Sequence, residues 1–120
     1  MLTKNLTGSG IAGLAAEALT GFASLSQTAT GASQGSLALP SDFVVYTTST
    51  ASNGPTLPAA NQSGDTYTIV NNTANSINVW PASGFKIGTG STDAALAVGA
   101  GKTALFIGLG NGNWASVLSA

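Results

Sequence analysis

The stretch that decides the fold is Thr66-Tyr67-Thr68-Ile69-Val70, followed by Asn71-Asn72-Thr73-Ala74-Asn75 and then by Ser76-Ile77-Asn78-Val79-Trp80. Its two outer parts are rich in β-branched and aromatic residues, and the second alternates polar and apolar side chains, as strands do. The Asn-rich middle part is a turn signal. We therefore predict a β-hairpin, whose second strand ends at Pro81 because proline lacks the N–H that a sheet needs.

The same alternation continues on both sides of this hairpin. Further strands are predicted at Phe43–Thr48, Thr103–Gly108 and Trp114–Leu118, with Gly, Asn, Ser and Pro clusters between them. Gly110-Asn111-Gly112-Asn113 predicts a second hairpin that joins the last two strands. Because no helical pattern long enough for a parallel crossover lies between the strands, residues 34–120 are predicted to form an antiparallel β-sandwich or a small barrel.

Residues 1–33 have a different pattern and are predicted to form an N-terminal arm. Apolar residues recur there at helical spacing, at Ile11, Leu14, Ala15, Ala18, Leu19, Phe22 and Leu25. Gly13 and Gly21 each weaken a helix by about 1 kcal/mol relative to Ala. We therefore predict a short amphipathic helix that is stable only when its stripe is packed, and we assign Leu14, Leu19 and Phe22 to an assembly interface.

Composition excludes several classes of function. The chain has 120 residues, enough for one domain with its own core, and 43% of them are hydrophobic, which argues against disorder. Only 6% are charged, and the three cations are all Lys, so the chain lacks the charge that nucleic-acid binding requires. No apolar run approaches the roughly 20 residues of a membrane span. We expect neither nucleic acid nor membrane as a partner.

Two short motifs resemble nucleotide-binding loops and lack the required context. Gly8–Gly13 matches G-x-G-x-x-G, but it follows only seven residues and no acidic residue stands about 20 positions later. Gly99–Thr103 ends like a phosphate-binding loop, but Leu96 occupies the position of its first glycine. Since Ala104–Ile107 has a strand pattern rather than a helical one, we predict a hairpin turn with a solvated Lys102.

Catalytic and metal-binding residues are not evident in the sequence. The chain contains no His and no Cys, and its four acids, Glu17, Asp42, Asp65 and Asp93, are far apart in sequence. No serine has a partner that could activate it, and ligands for transition metals are missing. We therefore expect a protein that is not an enzyme, with no catalytic residues, cofactor or metal, and we assign Asp42 and Asp65 to turns.

The aromatic residues allow two interpretations. The five that could line a surface are Tyr46, Tyr67, Trp80, Phe85 and Trp114. Aromatic side chains of an all-β domain most often form its core. A sugar-binding surface is the alternative.

Residues 29–120 resemble a recurring module of tailed-phage structural proteins. The resemblance lies in the order of several pieces. They are Thr30-Gly31-Ala32-Ser33-Gln34-Gly35-Ser36-Leu37-Ala38-Leu39, Thr56-Leu57-Pro58-Ala59-Ala60, Gly64-Asp65-Thr66, Asn71–Gly84 with its Val79-Trp80-Pro81-Ala82-Ser83-Gly84, and Ala100-Gly101-Lys102-Thr103-Ala104-Leu105-Phe106, before a last strand that begins at Trp114.

This resemblance implies a virion structural protein located at the capsid surface. It implies a homotrimeric capsid decoration (cement) protein, whose partners are the major capsid protein and other copies of the chain. A trimeric head-fibre or tail-fibre module that binds a host glycan or receptor is the alternative. The resemblance supplies no catalytic residues.

We predict that replacing Leu14 and Leu19 together with Ser leaves the β domain folded and weakens assembly, because the arm then loses its apolar stripe. Circular dichroism shows whether the β domain is folded, and the mass of the assemblies in solution shows whether assembly is weakened. Unchanged assembly would instead make the stripe part of the monomer core.

Overall fold

A computed structural model describes residues 23–59 and 62–120, and over these residues the chain is all-β. Its strands are β1 (Ala23–Ala29), β2 (Phe43–Ser49), β3 (Thr66–Asn71), β4 (Ile77–Val79), β5 (Leu96–Val98), β6 (Thr103–Gly108) and β7 (Trp114–Leu118). The five strands predicted from the sequence are confirmed, and β1 and β5 are additional. The predicted helix lies outside the described residues except at the end of its stripe, where Leu25 belongs to β1.

The strands form two sheets. The large sheet has the order β1-β2-β3-β6-β7, and β4 and β5 form a small one. The pairs β1–β2 and β2–β3 are parallel, whereas β3–β6 and β6–β7 are antiparallel. The all-β class is confirmed, but the sheet is mixed and open rather than purely antiparallel or a closed barrel. The prediction failed because the connections at residues 30–42 and 50–65 are long enough for parallel crossovers, and their described parts contain no helix.

The first predicted hairpin is wrong and the second is confirmed. The segment after β3 leaves the large sheet, and β4 pairs with β5 instead, with Ile77 opposite Val98. An Asn-rich turn signal does not by itself tell whether the chain returns to the strand that it has just left. At the C-terminus, β6 and β7 pair as predicted, with Leu105 opposite Val117.

The hydrophobic core lies between the two sheets. Alternate residues of the large sheet point into it, and β4, β5 and two loops supply the opposite layer. The buried residues are Ala29, Val44, Tyr46, Leu57, Ile69, Ile77, Val79, Ile87, Val98, Ala104, Phe106 and Trp114. Tyr46 and Trp114 are among the largest fully buried side chains, so these two aromatic residues serve the core.

Because of Tyr46, the free energy of unfolding decreases at alkaline pH. Burial raises the pKa of its phenol from 10.0 to about 12. A raised pKa means that the folded chain holds the proton longer than the unfolded chain, so this contribution to stability is complete below pH 10 and is lost between pH 10 and 12. The loss amounts to about 2.7 kcal/mol.

We predict that Tyr46→Phe removes this part of the alkaline loss, as measured by urea unfolding at neutral pH and at pH values above 10. A smaller loss remains, because partial burial and the charges of Asp65 and Asp42 also raise the pKa of Tyr67. Equal losses in Tyr46→Phe and in the original chain would contradict the prediction.

Candidate functional site

The face of the large sheet that points away from the core is apolar and uncharged. We call it the outer face. Its residues alternate with buried ones such as Val44, Ile69 and Phe106. They are Phe43, Val45, Thr66, Thr68, Val70, Thr103, Leu105, Ile107, Ala115 and Val117.

The outer face is organised in rows across the strands. In one row, Phe43 lies opposite Thr68, which lies opposite Leu105, which lies opposite Val117. The ends of this row are open to solvent, with Phe43 39% and Val117 59% exposed. The core lies between the two sheets, on the opposite face of the large sheet. No described strand crosses the outer face. Apolar surfaces of this kind mark sites of interaction with other molecules.

The two edges of the large sheet differ. On one edge, the pairing of β1 with β2 shifts register between Ser24 and Gln27 and again between Gln27 and Thr28. On the other edge, β7 pairs with β6 in unbroken register. Its exposed residue Val117 extends the outer face to that edge, whereas Leu118 lies opposite the buried Ala104 and points to the other face.

The sequence-based site residues do not coincide with the outer face. Leu14, Leu19 and Phe22 lie outside the described residues, so the structure does not test that assignment. The outer face was not predicted from the sequence, because each strand was expected to bury one face and to expose the other to solvent. A usable signal was present in the consecutive apolar residues of Phe43–Tyr46 and Ala104–Ile107, since strands covered on both faces have such runs.

Three of the segments that carry the resemblance to phage proteins lie side by side in the small-sheet layer. Thr56 forms parallel bridges with Ala38 on one side and Trp80 on the other. The N–H of Leu57 donates to the carbonyl of Trp80 at 2.8 Å, and the N–H of Trp80 donates to that of Pro55 at 3.0 Å. These contacts extend the small sheet by two short segments.

Gly54 allows this layer to close. Its N–H donates to the carbonyl of Gly31 at 2.8 Å. Its α-carbon lies so near the backbone of Asn78 that a side chain at this position would overlap the carbonyl oxygen of that residue. Any residue larger than glycine therefore forces the backbones apart.

Asn71 is fully buried at the end of β3, where the chain changes sheets. Its Nδ2 donates to the carbonyls of Asn75 at 2.8 Å, Val98 at 2.9 Å and Gly99 at 3.1 Å. Its Oδ1 accepts from the N–H and the hydroxyl of Thr73. Because both ends of this amide are used by the protein, Asn71 is a structural residue rather than a ligand-binding one.

The described acids also serve local structure. The Oδ1 of Asp93 accepts from the N–H of Gly84 at 2.7 Å and from Nε2 of Gln34 at 3.0 Å. These bonds, led by the one from Gly84, lower the pKa of Asp93. The Oδ2 of Asp65 accepts from the N–H of Gln62 at 2.8 Å, as expected of a turn residue. Among residues 23–59 and 62–120, no three potential metal ligands come together.

The segment Gly99–Lys102 forms a turn, closed by an N–H donated from Lys102 to the carbonyl of Gly99 at 3.0 Å. A strand follows it directly, because β6 begins at Thr103. The turn is confirmed and the hairpin is not, since the flanking strands β5 and β6 belong to different sheets.

Two of the candidate sugar-binding aromatics are enclosed in the core, and a third packs against it. The rings of Tyr67 and Trp114 meet edge to face, with centroids 5.5 Å apart. Trp114 and Tyr46 are fully buried, whereas Trp80 and Phe85 are half-buried. The aromatic residues therefore contribute mainly to packing.

The chain matches no protein-family model, and no curated protein is significantly similar to it. In the part of the chain that the structure describes, no helix has the length and hydropathy needed to cross a bilayer.

We predict that Gly54→Ala destabilises the fold by at least about 2 kcal/mol, because the new methyl group meets the backbone of Asn78 rather than a side chain that can move. Gly99→Ala is the matched control, since its new methyl group lies at ordinary contact distance from the flexible Lys102 side chain. Its cost is expected to stay below about 1 kcal/mol. Urea unfolding measures both, and equal costs would contradict the assigned role of Gly54.

Proposed function

We propose that this chain is a structural protein of a tailed phage, namely a homotrimeric decoration protein that binds between capsid subunits and stabilises the head shell. The observation that carries the proposal is the partly exposed, uncharged outer face. A small protein gains little from such a surface in isolation, because exposed apolar area favours association. A protein that works within an assembly has this surface covered by its partners.

Composition and resemblance support the same proposal. Only 6% of the residues are charged, so electrostatic repulsion between copies is weak. Three of the segments that resemble phage modules form one connected layer around Thr56, which is consistent with their belonging to a single module.

The mechanism is stabilisation by mass action. A protein that binds only the assembled shell stabilises it by RT ln(1 + [L]/Kd), about 2.7 kcal/mol per site when its concentration exceeds Kd a hundredfold. Since a shell offers many equivalent sites, these increments act together against the pressure of packaged DNA. No bond is made or broken in this process, so no catalytic group is required.

We expect phage particles that lack this chain to release their DNA at lower temperature than complete particles, and to withstand low ionic strength less well. Adding the purified chain to depleted particles is expected to restore resistance, while an unrelated β protein of similar size has no effect. DNA release is followed with an intercalating dye during heating. If depleted and complete particles are equally resistant, the decoration role is wrong.

The number of copies per particle separates this proposal from the fibre alternative. A decoration protein is present at parity with the major capsid protein or at a simple fraction of it. A trace amount would favour a head-fibre or tail-fibre module. Quantitative mass spectrometry of purified particles gives the ratio.

A further inference from the structure

We propose that the free edge of β7 pairs with the same edge of a second copy of this chain, antiparallel and around a two-fold axis at Leu118. The inference goes beyond the proposed function and does not depend on it. It rests on the backbone groups that β7 turns away from β6 and on the side chains beside them. Because a two-fold axis cannot relate the three copies of a trimer, the contact joins copies of different trimers within the proposed function.

The hydrogen bonds of Trp114 show which backbone groups of β7 face away from β6. The N–H of Trp114 donates to the carbonyl of Lys86 at 3.1 Å, and its carbonyl accepts from the N–H of Gly88 at 2.7 Å. Because the outward direction recurs at every second residue of an antiparallel pair in unbroken register, Ser116 and Leu118 also turn their N–H and carbonyl groups outward. Within residues 23–59 and 62–120, no other group bonds to these four.

The segment at residues 86–88 covers only the beginning of this edge. It runs parallel to β7 at a single bridge, between Ile87 and Trp114. Gly88, with a φ of 58°, then leads the chain away from the sheet. The edge is therefore occupied at Trp114 and open toward Leu118.

Both faces of the open part of β7 carry exposed apolar side chains. Val117 is 59% exposed on the outer face, and Leu118 is 42% exposed on the opposite face. Edge strands are commonly protected from pairing by a charged residue or a proline, and β7 contains neither. Its backbone groups and its side chains are therefore suited to an added strand.

The edge is complementary to itself, which favours a second copy as the occupant. Two residues that lie opposite each other in an antiparallel pair can exchange both of their N–H···O bonds. With Leu118 opposite Leu118 of the second copy, the outward groups of both residues are satisfied and their side chains meet on one face. No like charges are brought together, because β7 is uncharged. The edge at β1 offers no such match, since its pairing shifts register twice.

The segment that occupies the edge at Trp114 selects this register. An axis at Ser116 would set the second strand against Trp114, where the edge is already occupied. An axis at Val117 would set it against Ser116, which Gly88 already approaches, since a β-carbon on Gly88 would lie 3.6 Å from the Oγ of Ser116. An axis at Leu118 places β7 of the second copy beyond this segment.

Single cysteines test the contact, because the chain contains no cysteine of its own. The α-carbons of a hydrogen-bonded antiparallel pair are about 5.5 Å apart, a separation that a disulfide spans. We expect brief oxidation of the full-length Leu118→Cys chain to give about ten times more covalent dimer than two controls give. Val117→Cys is the control on the same strand, since its two copies lie diagonally and out of disulfide reach. Leu25→Cys is the control on β1, where Leu25 is 63% exposed.

Three results would overturn the inference. A higher yield from Val117→Cys than from Leu118→Cys would mean that the axis does not lie at Leu118. Equal yields from all three variants would show collisions between exposed thiols rather than a defined contact. A lack of dimer from Leu118→Cys would assign the edge to a strand of another protein or to solvent.

Opposite charges at position 118 give an independent test. Leu118→Lys and Leu118→Glu are each expected to weaken self-association, because like charges then lie opposite each other across the axis. A mixture of the two chains is expected to associate roughly fivefold more strongly than either chain alone. Sedimentation velocity measures association, and thermal unfolding shows that each variant is folded. A mixture that associates no better than its components would contradict the two-fold contact.

The inference and the decoration role can fail separately, because these measurements use the purified chain. Dimer formation by Leu118→Cys without binding to shells would reject only the decoration role. Binding to shells without such dimers would reject only the pairing of β7 edges.

Discussion

The side-chain amide of Asn71 joins the two sheets, and the remaining architecture depends on that junction. Its Nδ2 donates to the carbonyl of Asn75, which precedes β4, and to the carbonyl of Val98, which lies in β5. The backbone of Asn71 itself belongs to β3 in the large sheet. Each bond contributes about 1 kcal/mol, but leaving the fully buried Asn71 amide without these partners would cost more. The amide therefore sets the position at which the chain leaves the large sheet after β3 and begins the second layer with β4.

Because the chain leaves the large sheet after β3, the positions of the strands could be predicted from the sequence, whereas their pairing could not. Local patterns identified β2, β3, β4, β6 and β7, because alternation and turn residues act over a few positions. Pairing depends on contacts that are distant in sequence, and the Asn71 amide reaches across to Val98 and Gly99. Such a contact has no signature in the residues around Asn71. The parallel neighbours of β2 were missed for the same reason.

The candidate site was predictable only in part. The stripe of the N-terminal arm is visible in the sequence, since a period of 3.6 residues is a local property. The outer face combines residues of four strands, from Phe43 on β2 to Val117 on β7. It becomes visible only when the register is known. The large sheet therefore packs the core with its inner face and leaves its outer face as a candidate surface for association.

The unequal edges of the large sheet limit how copies of this chain can grow into larger structures. The irregular pairing of β1 twists that edge away from a straight ladder, whereas β7 is regular. A regular edge meeting an irregular one does not continue the hydrogen bonding from copy to copy, so head-to-tail growth of the sheet is disfavoured even though the chain is poor in charge.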